Sequence, residues 1–521
     1  MCYDGIRLLR PLNMPGRTAE GGRKMAVHGI SGVTTLVKNL VGDVRAHWKT
    51  PAQGKYISYK EFTAYSVGGI GVNTINSIFG YVALSANCLL LGSAYGIAPV
   101  HLVWMSIIVN ILNLVKSPFI SMLIDNTNTK YGKFRPYLLW TGIPTAVLIC
   151  LMAFVPNDFN YTLKCVLLCL IYALAMLFQS TYALAYTSLA QVLTPNGQER
   201  TSLLSVSQFI YSLGPSLVNM LLPIFAEFFD GGMLGFSAYR VLFPIFSVAG
   251  ILLSIWVFKD TNEKIIVPKT YVAKVKFSQG IREIKNNKYF WLIYLYQILG
   301  AMKYGIGSIL SWYCLYVVRS NSLLGIMNTI IGTASVPGML LAPVLAKKFG
   351  KKNCMIAFNV MRAVFSGLML VTMNNSVLFL VCLYLATLAV GGDGVLTASA
   401  TADVFDYQQW KTGKRLEGFI TQFGGMLVTA VGMVTSLILP YFYRYYGLGT
   451  DYNVLYNADV RTPIFNVMII TTIISCLLTV IPMLFYDMSE KRQQQIVEDL
   501  KVRAAAENAQ ESEESAENET L

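Results

Sequence analysis

The residues best able to do chemistry in this chain are polar groups set inside long apolar runs, where each is costly and normally faces a cavity or a partner. Asn73, Asn76, Ser77 and Tyr81 recur at helical spacing and share a face, beneath Gly68, Gly69 and Gly71, which permit close helix approach. Asn110, Asn113, Lys116 and Ser117 repeat the pattern in the next run. A later run offers Gln179, Ser180, Tyr182, Tyr186, Thr187 and Gln191, and the one after it Ser205, Gln208 and Tyr211. Together they predict a wet cavity lined by hydroxyls, amides and aromatic rings. Such groups suit a sugar, whose hydroxyls need donors and acceptors and whose C–H faces stack on rings. For any single Asn or Tyr the alternative is an interhelical hydrogen bond with no ligand. Full charges tell more. Lys116, Lys303 and Asp393 lie well inside apolar runs, where an unsupported ion costs at least roughly 3 kcal/mol. Lys303 and Asp393 can pair, either as a structural ion pair or as part of ion coupling. Lys116 has no obvious acidic neighbour in its own half of the chain.

Other chemistries find little support. The nine cysteines form no metal or redox pattern; Cys165 and Cys169 are one helical turn apart in an apolar run and the rest are scattered, so they read as small buried hydrophobes. His28, His47 and His101 are too few and too dispersed for a zinc site. No GxxxxGK[ST] loop is present, so ATP-driven work by this chain is not expected. No nucleophile–base pair stands out, and we expect neither an enzyme nor a cofactor.

The elements that must position these groups follow from composition. Hydrophobic residues make up 54% and charged residues 13%, with a mean hydropathy of +0.51, whereas a soluble chain carries about 25% charge. Apolar stretches occur near 60–92, 98–124, 136–155, 162–192, 201–227, 238–258, 289–318, 322–346, 353–373, 376–404, 416–443 and 462–486. Each must cross a bilayer as a helix, because lipid leaves no partner for open backbone. The expected class is therefore an all-α integral membrane protein of about twelve spans. Lys130, Lys133 and Arg135, then Lys347, Lys348, Lys351 and Lys352, then Lys411, Lys414 and Arg415 fall in alternate loops. Together with the basic segment 259–288 they put both termini in the cytoplasm by the positive-inside rule. The net charge of +13 is thus mostly a topology signal, and nucleic-acid binding is not implied.

The same segment, 259–288, separates six spans (56–258) from six more (289–487). Tyr131-Gly132-Lys133 after the second span is echoed by Phe349-Gly350-Lys351 after the eighth, the layout of a major facilitator fold. Residues 1–55 are basic. Within them Ile30, Val33, Leu36, Val37, Leu40, Val41 and Val44 recur at helical spacing, which suggests an amphipathic helix on anionic lipid; the alternative is a translation start at Met25. No cleavable signal peptide is visible. Residues 488–521 read as a charged tail with a disordered end.

Asp125 to Tyr137, with Gly132-Lys133-Phe134-Arg135-Pro136, resembles the loop after the second helix in the glycoside–pentoside–hexuronide:cation symporters, the melibiose-permease family. Ala402-Asp403-Val404-Phe405-Asp406-Tyr407-Gln408-Gln409-Trp410-Lys411-Thr412-Gly413-Lys414-Arg415-Leu416-Glu417-Gly418 is similar to that family's signature between helices ten and eleven. Gln198-Glu199-Arg200 with Leu203 and Leu204 matches its segment before helix five. The resemblance spans roughly 57–490. It implies a transporter of the plasma membrane that carries a saccharide or glycoside by alternating access, with symport of H+ or Na+. Lys133, Arg135, Asp403, Asp406, Lys411, Arg415 and Glu417 would then form a cytoplasmic gate, with anchoring to lipid headgroups as the alternative.

The working site departs from the family's pattern. The resemblance puts Asn73 and Ala183 where acidic sugar anchors are expected, Thr187 at the stacking aromatic, and Gln208 at the helix-five arginine. The two cation-binding aspartates of helix two fall on Asn113 and Ser117, with Lys116 between them. Neutral groups around a lysine cannot replace two anions as a sodium site. Transport is then uncoupled, coupled to a proton through Lys116, or coupled through another acid such as Asp393. The lack of acidic anchors suggests a neutral saccharide. An amphiphile or lysolipid carrier of the same fold, a uniporter and a non-transporting membrane sensor remain the alternatives.

Overall fold

A computed structural model describes residues 42–53, 55–127, 129–194, 197–264, 277–413, 417–500 and 502–503. Most of the expected surface helix (residues 30–41), Arg415, and the side chains of Ser117 and Glu417 lie outside the described residues. Among those described, regular structure is helical apart from one isolated bridge between Thr129 and Gly132.

Among the described residues, twelve helical segments form two sets of six along the chain. In the first half these are α1 (Tyr59–Tyr81), α2 (Pro99–Asn126), α3 (Arg135–Phe154), α4 (Tyr161–Val192), α5 (Gly197–Tyr211 continuing as Leu213–Ala226) and α6 (Phe236–Asp260). In the second half α7 begins as Lys288–Leu299, tightens into a 3-10 stretch over Ala301–Ser308 and ends in a π turn at Tyr313–Val318. It is followed by α8 (Asn321–Phe349), α9 (Lys351–Thr372), α10 (Ser376–Thr412), α11 (Glu417–Thr435 continuing as Ile438–Tyr445) and α12 (Ala458–Leu484). Nine of these are long and apolar enough to cross a membrane. The other three, α1, α2 and α7, carry Asn73 and Asn76, Lys116, and the broken turn at Lys303.

Ser and Asn start many of the helices. Ser58 opens α1 with a capping box: its hydroxyl accepts from Glu61 N while the Glu61 carboxylate accepts from Ser58 N at 3.0 Å. Asn287, Ser320, Asn375 and Asn457 cap α7, α8, α10 and α12. Glycine sets how closely helices approach. A Cβ on Gly71 would lie 2.4 Å from the Gly250 carbonyl of α6, and one on Gly338 of α8 would lie 2.0 Å from the Leu388 carbonyl of α10.

Two expectations about these elements need correction. The first apolar run does not continue to residue 92; Ser85 and Asn87 interrupt it, and the chain turns after Tyr81 into a separate π turn at Leu89–Ala94. The motif read between helices ten and eleven is helical as far as Thr412, because nothing from Ala402 to Lys411 breaks a helix. The segment after α12 is helical over 490–500. Ile496 is buried there, and Asp499 accepts from the Trp410 indole at 2.9 Å.

Both halves are closed alike at the end carrying the basic loops. Lys60 pairs with Asp260 at 2.7 Å and Lys288 with Asp487 at 2.6 Å, so each half ties its first helix to its last. Glu263 accepts from the backbone N–H groups of Lys133, Phe134 and Arg135 at 2.8, 2.8 and 3.0 Å, while Glu490 accepts from Lys351 N at 2.5 Å. Gly132 and Gly350, the echoed glycines, have φ of 104° and 84°, a conformation that favours glycine beside these carboxylates.

The halves join at the opposite end. There α5 packs on α8 and the start of α2 on the end of α11. Ser93 and Tyr316 share a hydrogen bond of 2.8 Å. Glu227 accepts from Asn321 N and Ser322 N at 2.9 and 3.0 Å, and Tyr452 donates to the Ile97 carbonyl at 3.1 Å. One apolar core runs across both halves at this end, whereas a second is confined to the basic end of the second half.

Candidate functional site

The first half gathers its polar groups where α1, α2, α4 and α5 converge. Asn76 donates to the Tyr211 hydroxyl at 3.0 Å and accepts from Gln179 at 3.1 Å. Asn73 donates to the Tyr211 carbonyl at 2.9 Å. The Lys116 ammonium donates to the Met176 carbonyl at 2.9 Å and the Ser180 hydroxyl at 3.0 Å. All of these side chains are half-buried, roughly 15–25 Å from the basic end at about 1.5 Å of rise per residue. Among the described residues Lys116 has no carboxylate partner, so its charge is solvated by neutral oxygens alone.

Tyr186 lies between two other rings, 4.6 Å from Tyr65 and 5.4 Å from Tyr211, both stacked. It is 4% exposed, and its hydroxyl donates to the Tyr65 carbonyl at 3.0 Å. Tyr182 is fully buried over Gly142, with its hydroxyl bonded to Ser254 of α6. Both tyrosines hold helices together and are withdrawn from the cleft, unlike the cavity lining their spacing suggested. Thr187 and Gln208 are exposed, and the Thr187 hydroxyl bonds to its own helix at Ala183 and Leu184. Asn113 is half-buried on α2, one turn before Lys116.

The second half contains a charged cluster. Lys303 pairs with Asp393 at 3.0 Å and donates to Asn359 at 2.7 Å. Asn359 donates to Asp393 at 3.1 Å and to the Tyr296 hydroxyl at 2.6 Å; that hydroxyl in turn donates to Asp393. Thr479 donates to Asn359 at 3.1 Å. Arg362 donates to the Lys303 carbonyl at 2.6 Å. Pairing of Lys303 with Asp393 matches the sequence expectation; Tyr296, Asn359, Arg362 and Thr479 were missed. Asn359 and Arg362 sit one turn apart in the apolar run of α9, and the rule that singled out Lys303 applies to them equally.

Between the halves lies a cavity of ≈ 300 Å³. Ser85, Asn87 and Ser106 line it from the first half; Met302, Thr435 and Tyr443 line it from the second. Its lining carries no carboxylate, ammonium or guanidinium.

Three of the expected gate residues, Arg135, Asp403 and Lys411, bond within their own halves. Arg135 donates to the Phe258 carbonyl and to Asn262 at 3.1 and 3.2 Å. Asp403 pairs with Lys351 at 2.7 Å, and Lys411 donates to the Asn286 carbonyl at 2.8 Å. Lys133 is anchored through its backbone to Glu263, and Asp406 is half-buried on α10. The contacts of Arg135, Asp403 and Lys411 each lie within one half, whereas Ser93 with Tyr316 and Glu227 with Asn321 join the halves at the opposite end.

Known proteins bear on this arrangement. A chain from Bacillus subtilis named an uncharacterised symporter is 26% identical over 466 residues, covering 86% of this chain and 96% of its own. The isoprimeverose transporter of Lactiplantibacillus pentosus is 26% identical over 427 residues, 80% and 86% of the two chains. The glucuronide carrier protein homolog of Escherichia coli K12 is 24% identical over 387 residues, 70% and 78%. Among solved structures, a D-xylose–proton symporter superposes with a TM-score of 0.55 at 12% identity, over 82% of this chain and 96% of that one, which speaks to the fold. The family described as MFS/sugar transport protein matches residues 64–490. With most of its length matched, and with twelve helical segments in two alike halves, the chain belongs to that family of multi-pass secondary transporters and, within it, to the glycoside–pentoside–hexuronide:cation symporters.

Proposed function

We propose that the protein carries a saccharide or glycoside across the plasma membrane by alternating access, in symport with protons and not with sodium. The observation that carries this reading is the linked set Asn73, Asn76, Gln179, Tyr211, Ser180 and Lys116, a hydrogen-bonding surface on four converging helices with a single cation and no anion. Donors and acceptors at that density suit the vicinal hydroxyls of a sugar. A sodium ion needs anionic or carbonyl oxygens around it, and an ammonium at Lys116, between Asn113 and Ser117, repels it. The names of the relatives, which include an isoprimeverose transporter and symporters, support the substrate class.

By the positive-inside rule the end bearing Lys130, Lys133, Arg135, Lys347 and Lys348 faces the cytoplasm, with both termini. The arrangement described, joined at the opposite end, is then open to the cytoplasm. In the alternate state Lys133, Arg135, Asp403, Asp406, Lys411, Arg415 and Glu417 meet between the halves and close the inner gate. Thr187 and Gln208, exposed on α4 and α5, extend the sugar surface toward the cytoplasmic mouth.

The test is uptake of labelled saccharides into proteoliposomes, with sodium and proton gradients imposed separately. Accumulation of one or more saccharides under a proton gradient alone supports the reading. A strict sodium requirement removes the coupling assignment, and uptake of none removes the reading.

A further inference from the structure

The break in α7 separates two features by a single peptide. Ala301 and Met302 form part of the wall of the ≈ 300 Å³ cavity between the halves. The next residue, Lys303, is 4% exposed and joins the cluster around Asp393. Carbonyls released where the α-helix gives way to 3-10 turns are held from other helices: Leu299 O accepts from Ser475 of α12 at 2.6 Å, and Lys303 O accepts from Arg362 of α9 at 2.6 Å. The break is thus a supported element of the fold.

We propose that Asp393 is the proton-binding group of the transport cycle, and that the α7 break, Gly300 to Ser308, is the element its protonation switches. This rests on the saccharide–proton reading above and assigns the coupling to a site in the second half.

The argument is one of donor and acceptor count. Ionised Asp393 faces donors: the Lys303 ammonium, the Tyr296 hydroxyl and the Asn359 amide. A proton delivered by hydronium forms an O–H bond on the carboxylate as one O–H bond of the hydronium breaks, leaving a water molecule. The hydroxyl of Tyr296 can turn and accept, but an ammonium has no acceptor to offer. Protonation therefore cancels the ion pair and leaves Lys303 as an unpaired buried cation, the costly arrangement for such a pair. Its remaining supports are Asn359 and the face of the Tyr296 ring, 4.6 Å away. The relief available is movement of Lys303, which carries Ala301 and Met302 with it and reshapes the cavity wall.

The other groups around Asp393 do not offer a replacement. The Arg362 guanidinium of α9 holds the Lys303 carbonyl, Cys476 and Thr479 of α12 are uncharged, and α8 approaches α10 through Gly338 and Ser335 against Leu388 and Gly391. The Asp393 side chain is 14% exposed against 4% for Lys303. Water therefore reaches the acid more readily than its partner.

The experiment is hydrogen exchange of the full-length protein in lipid nanodiscs at about pH 5 and pH 8, corrected for the intrinsic pH dependence of exchange. The probe is the wild type against a double variant, Asp393→Asn with Lys303→Met, which removes both charges together and leaves no orphaned ion. We expect exchange in 300–308 to be at least tenfold faster at low pH in the wild type and equal at both pH values in the variant. Exchange elsewhere in the variant, matching wild type, verifies the fold. A wild-type segment insensitive to pH, or a variant that keeps the dependence, overturns the proposal. In proteoliposomes the variant should lose proton-driven accumulation of the saccharide at least tenfold. Undiminished accumulation overturns the proposal while leaving the transport reading standing; a wild type that moves no saccharide overturns that reading instead, and the exchange result still decides the switch.

Discussion

The ammonium of Lys116 on α2 stands 3.0 Å from the hydroxyl of Ser180 on α4, and its other bond, at 2.9 Å, goes to the Met176 carbonyl. A cation in the middle of a membrane helix is here held by two neutral oxygens. Among the described residues the third ammonium hydrogen has no partner, and an ammonium can donate it to a ligand oxygen.

That relationship predicts a graded response. Lys116→Asn should lower the maximal uptake rate at least tenfold or change its ion dependence, because it removes the only charge on the polar surface. Ser180→Ala removes one of two supports, a loss of about 1.5 kcal/mol at the lower end for a charged hydrogen bond, and should slow uptake by about one order of magnitude. Initial rates across a pH series measure both; wild-type behaviour of Lys116→Asn in rate and ion dependence would take the residue out of the mechanism.

Tyr211 separates binding from packing. Its ring stacks on Tyr186 while its hydroxyl accepts from Asn76. Tyr211→Phe should keep the stack and the thermal midpoint yet raise the apparent KM severalfold, whereas Tyr186→Ala should lower the midpoint through loss of a buried ring. Paired melting and uptake curves distinguish the two effects.

Close helix contact at Gly71 can be tested against a glycine in open space. Gly71→Ala drives a methyl toward the Gly250 carbonyl and should cost about 1–3 kcal/mol in overpacking. Gly80→Ala meets no atom within 4 Å and should leave the midpoint unchanged or slightly raised.

Much of this architecture is legible in the residues. Apolar runs locate the helices, and Gly132 and Gly350, separated by more than two hundred positions, mark equivalent turns because a carboxylate, Glu263 or Glu490, seats against each. What cannot be read is helical phase relative to neighbours. Asn76 and Tyr186 look equally suited to a cavity in the sequence, but only the first faces its polar companions; the second is clamped between rings from α1 and α5. Distance along the chain hides the charged cluster as well. Asp393 is ninety residues from Lys303, and nothing local announces that Asn359 bridges them. The end of α10 is hidden for a related reason: Asp403, Asp406 and Lys411 are polar enough for a loop, yet they sit on an uninterrupted helix that reaches beyond the apolar span.

Closure at the end remote from the basic loops predicts a further result. Asn219 of α5 and Asn328 of α8 approach across the halves, with a side-chain amide to carbonyl separation of 3.4 Å. A pair of substitutions, Asn219→Cys with Asn328→Cys, bridged by a cleavable thiol reagent, should stop uptake at least tenfold, and cleavage should restore it. Full activity of the bridged protein would show that this contact need not open.

The central claim is that saccharide movement is tied to proton movement. Its most direct measurement is the internal pH of sodium-free proteoliposomes carrying a trapped indicator, recorded as a transported saccharide is added outside. The account predicts acidification of the interior that depends on the saccharide and is lost in the Asp393→Asn, Lys303→Met variant. Saccharide entry with no change in internal pH, or entry only after sodium is supplied, would contradict it.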